Sequence, residues 1–218
     1  MQSILTLLRP SSDLVLEVRR LNRLRLAGSF VMIPILLVLA LFTAQSEGSE
    51  TLERSLGTLA LAAGVGLRLW ALGNIDGRKK NMLVTWGAYS HVRHPLYLGS
   101  FLILLGFCIL AGSWSATIVA GLVFLALYLP VIRAEERLLA SSFVAPWESY
   151  CRHSWAFLPR LWGHGRPGEQ QESMKMPFRL RRPAREIGVL VLLFFGVLGA
   201  AELLRLLRRS LELPQWFV

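Results

Sequence analysis

This chain is poor in charge and nearly devoid of cysteine. Of its 218 residues only 17% are charged while 54% are hydrophobic, and the mean hydropathy is +0.48. A soluble domain carries about a quarter of its residues as Asp, Glu, Lys and Arg, so this composition excludes an ordinary soluble globular protein and places the chain in a membrane. Two cysteines, Cys108 inside an apolar run and Cys151 in a polar one, exclude a disulfide framework and a cysteine-built metal site. Cys108 reads as filler in a helix. No glycine-rich strand-to-helix turn occurs, which excludes a soluble dinucleotide-binding fold. A cleavable leader is not expected either, because the first apolar stretch starts late, is long and lacks a small-residue cleavage site.

What is present is a set of long apolar runs. Leu26 to Ala44 is uncharged, and so is Pro95 to Ile132. The second run, of about 38 residues, is roughly twice what one helix needs to cross the hydrocarbon, so it must fold back. Gly112 and Ser113, followed by Trp114, supply the turn and an interfacial aromatic. Residues 55–73, with Arg68 close enough to one end to snorkel to the headgroups, and 187–204, with Glu202, complete the set. The expected fold is an all-α integral membrane protein with about five transmembrane helices, at 26–44, 55–73, 95–112, 114–132 and 187–204.

The net charge of +10 does not point to nucleic acid, because the basic residues follow topology. Arg9, Arg19, Arg20, Arg23 and Arg25 precede the first span, Arg78, Lys79, Lys80 and Arg93 separate the second from the third, and ten more lie from Arg133 to Arg185. By the positive-inside rule these three segments, the N-terminus included, are cytoplasmic. Arg205, Arg208 and Arg209 would sit outside after a fifth crossing, so the last helix either crosses against the rule or lies in the interface. Residues 1–25 interleave leucine and valine with arginine and read as an amphipathic helix on the inner surface. The membrane core then occupies 26–160, a flexible basic linker 161–186, and the C-terminal helix and tail 187–218. The expected setting is a prokaryotic plasma membrane.

Chemistry concentrates in two clusters. The first is Gly87-Ala88-Tyr89-Ser90-His91-Val92-Arg93-His94-Pro95-Leu96-Tyr97-Leu98-Gly99, ionisable and aromatic residues set against an apolar run, where unpaired charge is costly. Pro95 opens a helix, having no amide hydrogen to lose, and pushes His94 towards an extended conformation. The free amides and positive end of that helix can seat a carboxylate. The second cluster holds Glu135 and Glu136, consecutive and so about 100° apart on a helix. They want cations, and the hairpin of the third and fourth helices brings them towards Arg93 and His94. A metal on His91, His94 and His153 has little support, since no carboxylate or thiolate completes the motif.

Leu67-Arg68-Leu69-Trp70-Ala71, Gly87-Ala88-Tyr89, Arg93 to Gly99, Glu135-Glu136, Trp147-Glu148-Ser149-Tyr150 and Phe157-Leu158-Pro159 together resemble the membrane-embedded isoprenylcysteine carboxyl methyltransferase and phospholipid methyltransferase family. The resemblance covers about half of the chain. It implies S-adenosylmethionine as cofactor in a cytoplasmic-side pocket enclosed by Tyr89, Arg93, His94, Pro95, Tyr97, Gly99, Glu135 and Glu136. It also implies methyl transfer to a membrane lipid or lipidated acceptor, either an isoprenylcysteine-like carboxylate or a phospholipid amine, with Arg93, His94 and Glu136 as the catalytic group. Val144 and Trp147 depart from the usual pattern, and Ser100 leans slightly to the phospholipid branch. The alternatives are an NADPH-dependent reductase of the steroid and sterol type, opposed by Ser100 where a glutamate is usual, and a non-catalytic lipid-binding membrane protein.

Overall fold

The computed structural model describes residues 11–42, 50–75 and 83–159, together with isolated helical positions between 188 and 210. Among the described residues up to 159, six helices follow one another: α1 (Ser12–Phe42), α2 (Glu50–Ile75), α3 (Ala88–His91), α4 (Pro95–Leu110), α5 (Trp114–Ser142) and α6 (Val144–His153). Among the described residues the only extended pairing is an isolated parallel bridge between Val92 and Trp155. Residues 1–10, the basic loop residues Arg78, Lys79 and Lys80, the linker 161–186 and most of the C-terminal helix lie outside the described residues.

The sequence reading separates an interfacial helix ending at residue 25 from a span starting at 26, whereas the structure runs one helix from Ser12 to Phe42. Nothing between Leu14 and Ala27 caps or breaks a helix, so the polar and apolar halves propagate as one. The expected fourth span likewise ends at 132, yet α5 continues to Ser142 because Arg133 to Ser142 are helix-compatible residues free of glycine and proline. At 29 residues α5 is about 43 Å long, against about 30 Å of hydrocarbon. Its polar last turns therefore project beyond an apolar layer of that depth. The turn between α4 and α5 is tight. Gly112 takes φ 72°, and Ser113 caps α5 by accepting from the amide of Ala116 at 3.1 Å.

Helices α2 and α4 are antiparallel and pack backbone to backbone. Gly57 and Gly64 on α2 face Gly106 and Gly99 on α4, seven residues apart on each helix. A Cβ on Gly64 would lie 2.7 Å from the carbonyl oxygen of Gly99, and one on Gly106 would lie 2.8 Å from that of Gly57. Small residues at such crossings are what allow helices to associate where lipid removes the hydrophobic incentive. Leu61, between the glycine contacts, packs against Leu110, one turn beyond Gly106, and both are buried. Beyond the seam, Trp114 Nε1 donates to Oε1 of the buried Glu53 at 2.9 Å, tying the start of α5 to the first turn of α2. Helix α1 packs on α5, and α5 on α4.

Leu52, Leu56 and Leu59 on α2 and Ile118, Leu122 and Leu129 on α5 stay exposed. Both helices are long and apolar enough to cross a membrane, and outward apolar faces of this kind suit lipid.

Replacing Gly64 by Leu should destabilise the protein by about 1–3 kcal/mol through overpacking. Gly66→Ala, where a Cβ would meet nothing within 4 Å, should be neutral or stabilise by up to about 1 kcal/mol. Thermal unfolding in detergent checks the contrast.

Candidate functional site

The site forms where α2 ends, α4 begins and α5 overshoots. The chain re-enters at Leu83 and turns at Gly87, whose φ of 62° suits glycine and whose Cβ, if present, would lie 2.5 Å from the Asn74 side chain. Asn74 itself donates to the Trp70 carbonyl at 2.7 Å, so the end of α2 and this turn are fitted together. The short helix α3 is fastened by α6: Tyr150 donates its hydroxyl to the Tyr89 carbonyl at 2.7 Å. Burial pushes the phenols of Tyr89 and Tyr150 well above their ordinary value, so both remain neutral O–H groups. Val92 is extended, and the amides of Arg93 and His94 donate to the carbonyls of Trp155 (2.8 Å) and Ala156 (3.2 Å). Pro95 then opens α4 at its first position, where its missing amide costs nothing.

This scaffold aims Arg93 and His94 at the overshooting end of α5. Arg93 Nε donates to Glu136 Oε1 at 2.8 Å, and its Nη1 donates to the Ser154 carbonyl at 2.5 Å. The guanidinium also lies 5.9 Å from the centre of the buried Trp147 ring. His94 stands between the two carboxylates, its Nε2 3.3 Å from Glu136 Oε1 and its Nδ1 4.0 Å from Glu135 Oε2. Its ring stacks on Tyr97 with centroids 5.7 Å apart. Arg93 and Glu136 are 14% and 25% exposed, dry enough for their pairing to matter more than a surface bridge.

A cavity of about 400 Å³ opens above this brace, within the size range of small-molecule sites. Of the residues expected from the sequence, Tyr89, Arg93, His94, Pro95, Tyr97 and Glu135 line it. The other two lie elsewhere. Gly99 meets Gly64 and Arg68 across the helix seam, and Glu136 sits behind the wall, holding Arg93 and His94.

Asn22, Arg25 and Tyr128, which sequence reasoning missed, also line the cavity, as do Arg68, Ser100, Trp147 and Tyr150, which it noted without placing them in the pocket. Arg68 does not snorkel outwards. Its Nη1 donates to Ser100 Oγ at 2.5 Å and to the Leu96 carbonyl at 3.3 Å, because the Gly64–Gly99 contact brings the first turn of α4 within reach. A charge inside an apolar helix was the available signal; Tyr128 offered none. Among the described residues no group of three or more His, Cys, Asp or Glu could hold a metal ion. His91 instead lies against Trp70, and His153 Nδ1 is 2.8 Å from the Ser149 carbonyl oxygen.

Glu136→Ala removes the acceptor that Arg93 and His94 share and should cost about 1–3 kcal/mol, less than for a fully buried pair because a quarter of the glutamate is exposed. Tyr150→Phe should cost about 1 kcal/mol through loss of the hydrogen bond to the Tyr89 carbonyl. Denaturant unfolding in detergent measures both.

Comparison with known proteins meets this geometry from another direction. The family model for phospholipid methyltransferases matches residues 55–145, the stretch from α2 to the end of α5. The cobalt-zinc-cadmium resistance protein CzcN of Cupriavidus metallidurans is 44% identical over 107 residues, 49% of each chain, so the match spans about half the length of that relative. The nickel-cobalt-cadmium resistance protein NccN of Alcaligenes xylosoxydans xylosoxydans is 34% identical over 145 residues, 65% of this chain and 67% of that one. The protein-S-isoprenylcysteine O-methyltransferase of Schizosaccharomyces pombe is 39% identical over 72 residues, 33% of this chain and 30% of its own. No solved structure matches significantly. With the matched stretch carrying the paired glutamates and the Arg93-His94-Pro95 turn, this chain belongs to the phospholipid methyltransferase family.

Proposed function

We propose that the protein transfers a methyl group from S-adenosylmethionine to a lipophilic acceptor at the cytoplasmic face of a membrane, the acceptor presenting an isoprenylcysteine-like carboxylate or a phospholipid amine. In this reading the N-terminus is cytoplasmic and five helices meet the bilayer, the last being the segment from residue 187. The observation that carries the reading is the cavity wall: Glu135, a fifth exposed, shares it with the rings of Tyr97 and Tyr128 and with several cationic side chains. Such a wall fits the cofactor. A carboxylate suits its ammonium, aromatic rings attract a cation such as a sulfonium, and guanidinium groups suit its carboxylate.

When bound, S-adenosylmethionine supplies an electrophilic methyl group. The chain's own residues position and exclude water, and for a displacement that disperses charge those two effects supply most of the acceleration. Glu135 would hold the ammonium. Glu136, behind the cavity wall, would act through Arg93 and His94, whose angle and ring plane it fixes. An acceptor carboxylate reacts already ionised and needs only orientation by a cation. An amine acceptor must shed a proton, and His94 Nδ1, facing Glu135 Oε2, is the group placed to take it. In our reading the metal-resistance names of two relatives mark a physiological setting, in which altered lipid head groups change how a membrane surface holds divalent cations.

Titration of purified protein with S-adenosylmethionine and with NADPH should give saturable binding of the first. Binding of NADPH alone would sink the proposal. Glu135→Gln should weaken S-adenosylmethionine binding more than tenfold, and so should Arg93→Ala. Labelled methyl groups should pass into a lipid extract, where the labelled species identifies the acceptor.

A further inference from the structure

Helix α1 precedes the stretch that the family model matches, yet it reaches the cavity through Asn22 and Arg25. The guanidinium carbon of Arg25 lies 5.4 Å from the centre of the Tyr97 ring and 5.1 Å from that of Tyr128, and the two rings meet edge to face at 5.5 Å. The Tyr97 hydroxyl hydrogen-bonds with both Arg25 and Glu135. These three groups permit one direction of bonding. A guanidinium only donates, an ionised carboxylate only accepts, and a phenol has a single proton to give. The hydroxyl oxygen therefore accepts from Arg25, and its proton is aimed at Glu135. His94 Nδ1, at 4.0 Å from Glu135 Oε2, is too distant for a hydrogen bond, so the phenol is what orients the carboxylate.

We propose that Arg25 is a positioning residue of the cofactor site: through the Tyr97 hydroxyl it aims the Glu135 carboxylate at the ammonium of the ligand, so that α1 completes a site whose other parts lie on later helices. The proposal rests on the methyltransferase reading above and adds a residue that acts on Glu135 without contacting the ligand. The two glutamates are then held by different arginines in different ways. Arg93 bonds Glu136 directly at 2.8 Å, which neutralises that carboxylate behind the wall. Arg25 reaches Glu135 through a neutral phenol, which orients the carboxylate on the cavity wall and leaves its charge for a cation. A chain of hydrogen bonds in one sense also strengthens each link. The framework suits this role. Tyr128 and Glu135 are seven residues apart on α5 and so share a face, and α1 is held along α5 by Glu17 with Arg137 at 2.7 Å and by Gly28 against Leu127. Arg25 Nε is buried without a hydrogen bond, a state that selection for stability alone would disfavour and that a required guanidinium position explains.

The test measures S-adenosylmethionine affinity of the full-length protein in detergent. Arg25→Met, which keeps the length and loses the donors, should weaken binding roughly fivefold or more. Arg25→Lys, which restores a donor and a cation over the rings, should stay within about threefold of the wild type. Arg23→Met, at an exposed arginine of the same helix, should leave the affinity unchanged. In the Glu135→Gln background Arg25→Met should add less than about twofold, because the group it orients is already gone. A full additional loss in that background, the mark of direct contact with the ligand, would overturn the assignment, and so would unchanged affinity in Arg25→Met itself. Should Arg25→Met fail to fold, Tyr97→Phe breaks the same chain by a smaller change and carries the same two expectations. If the wild type binds no S-adenosylmethionine, the methyltransferase reading falls by itself, and the Arg25–Tyr97–Glu135 chain is read from denaturant unfolding, where additive losses for Arg25→Met and Tyr97→Phe refute it.

Discussion

Two helix backbones can touch only where neither carries a side chain, and α2 and α4 meet that condition twice, at Gly57 with Gly106 and at Gly64 with Gly99. Everything at the cavity end inherits its position from this contact. It sets how far the first turn of α4 lies from Arg68, and hence that one guanidinium can hold both the Leu96 carbonyl and Ser100. It also fixes where Pro95 starts its helix, which decides where His94 and Arg93 stand. Polar groups inside an apolar bundle have no solvent to fall back on, so a shift of the backbone pair would strand them.

On that base the charged residues divide their labour. Glu136 is committed inwards, to Arg93 and His94, while its neighbour Glu135 keeps a face on the cavity. Consecutive residues on a helix cannot point the same way, so the doublet places one carboxylate behind the wall and one on the cavity. The carbonyls of Ser154, Trp155 and Ala156 complete the arrangement by accepting from Arg93 and His94. The segment after α6 is thus as much a part of the wall as the helices are.

Much of this was legible in the sequence because its causes are local. An apolar run too long for one crossing, a Gly-Ser turn before a tryptophan and a proline after a histidine each fix a conformation within a few residues, and the hairpin they imply is enough to bring Arg93 towards Glu136. What was not legible depends on rotation and depth. Glu135 and Glu136 look alike until the helix face is known. Gly99 sits among site residues in the sequence yet packs against another helix. Arg25 is one of several arginines in a basic stretch, and only the packing of α1 on α5 shows that it turns towards Tyr97 and Tyr128. The extent of α5 was underestimated because an apolar run measures where lipid contact ends, which is earlier than where the helix ends.

The unbroken course of α1 from Ser12 to Phe42 has a mechanical side. A helix is stiff over such a length, and this one touches α5 at two well-separated points, Glu17 with Arg137 and Gly28 with Leu127. Arg25 lies between them. A tilt of the rod imposed at its arginine-bearing end is therefore transmitted to the guanidinium above the two tyrosines, as at the arm of a lever, with little loss in the helix itself.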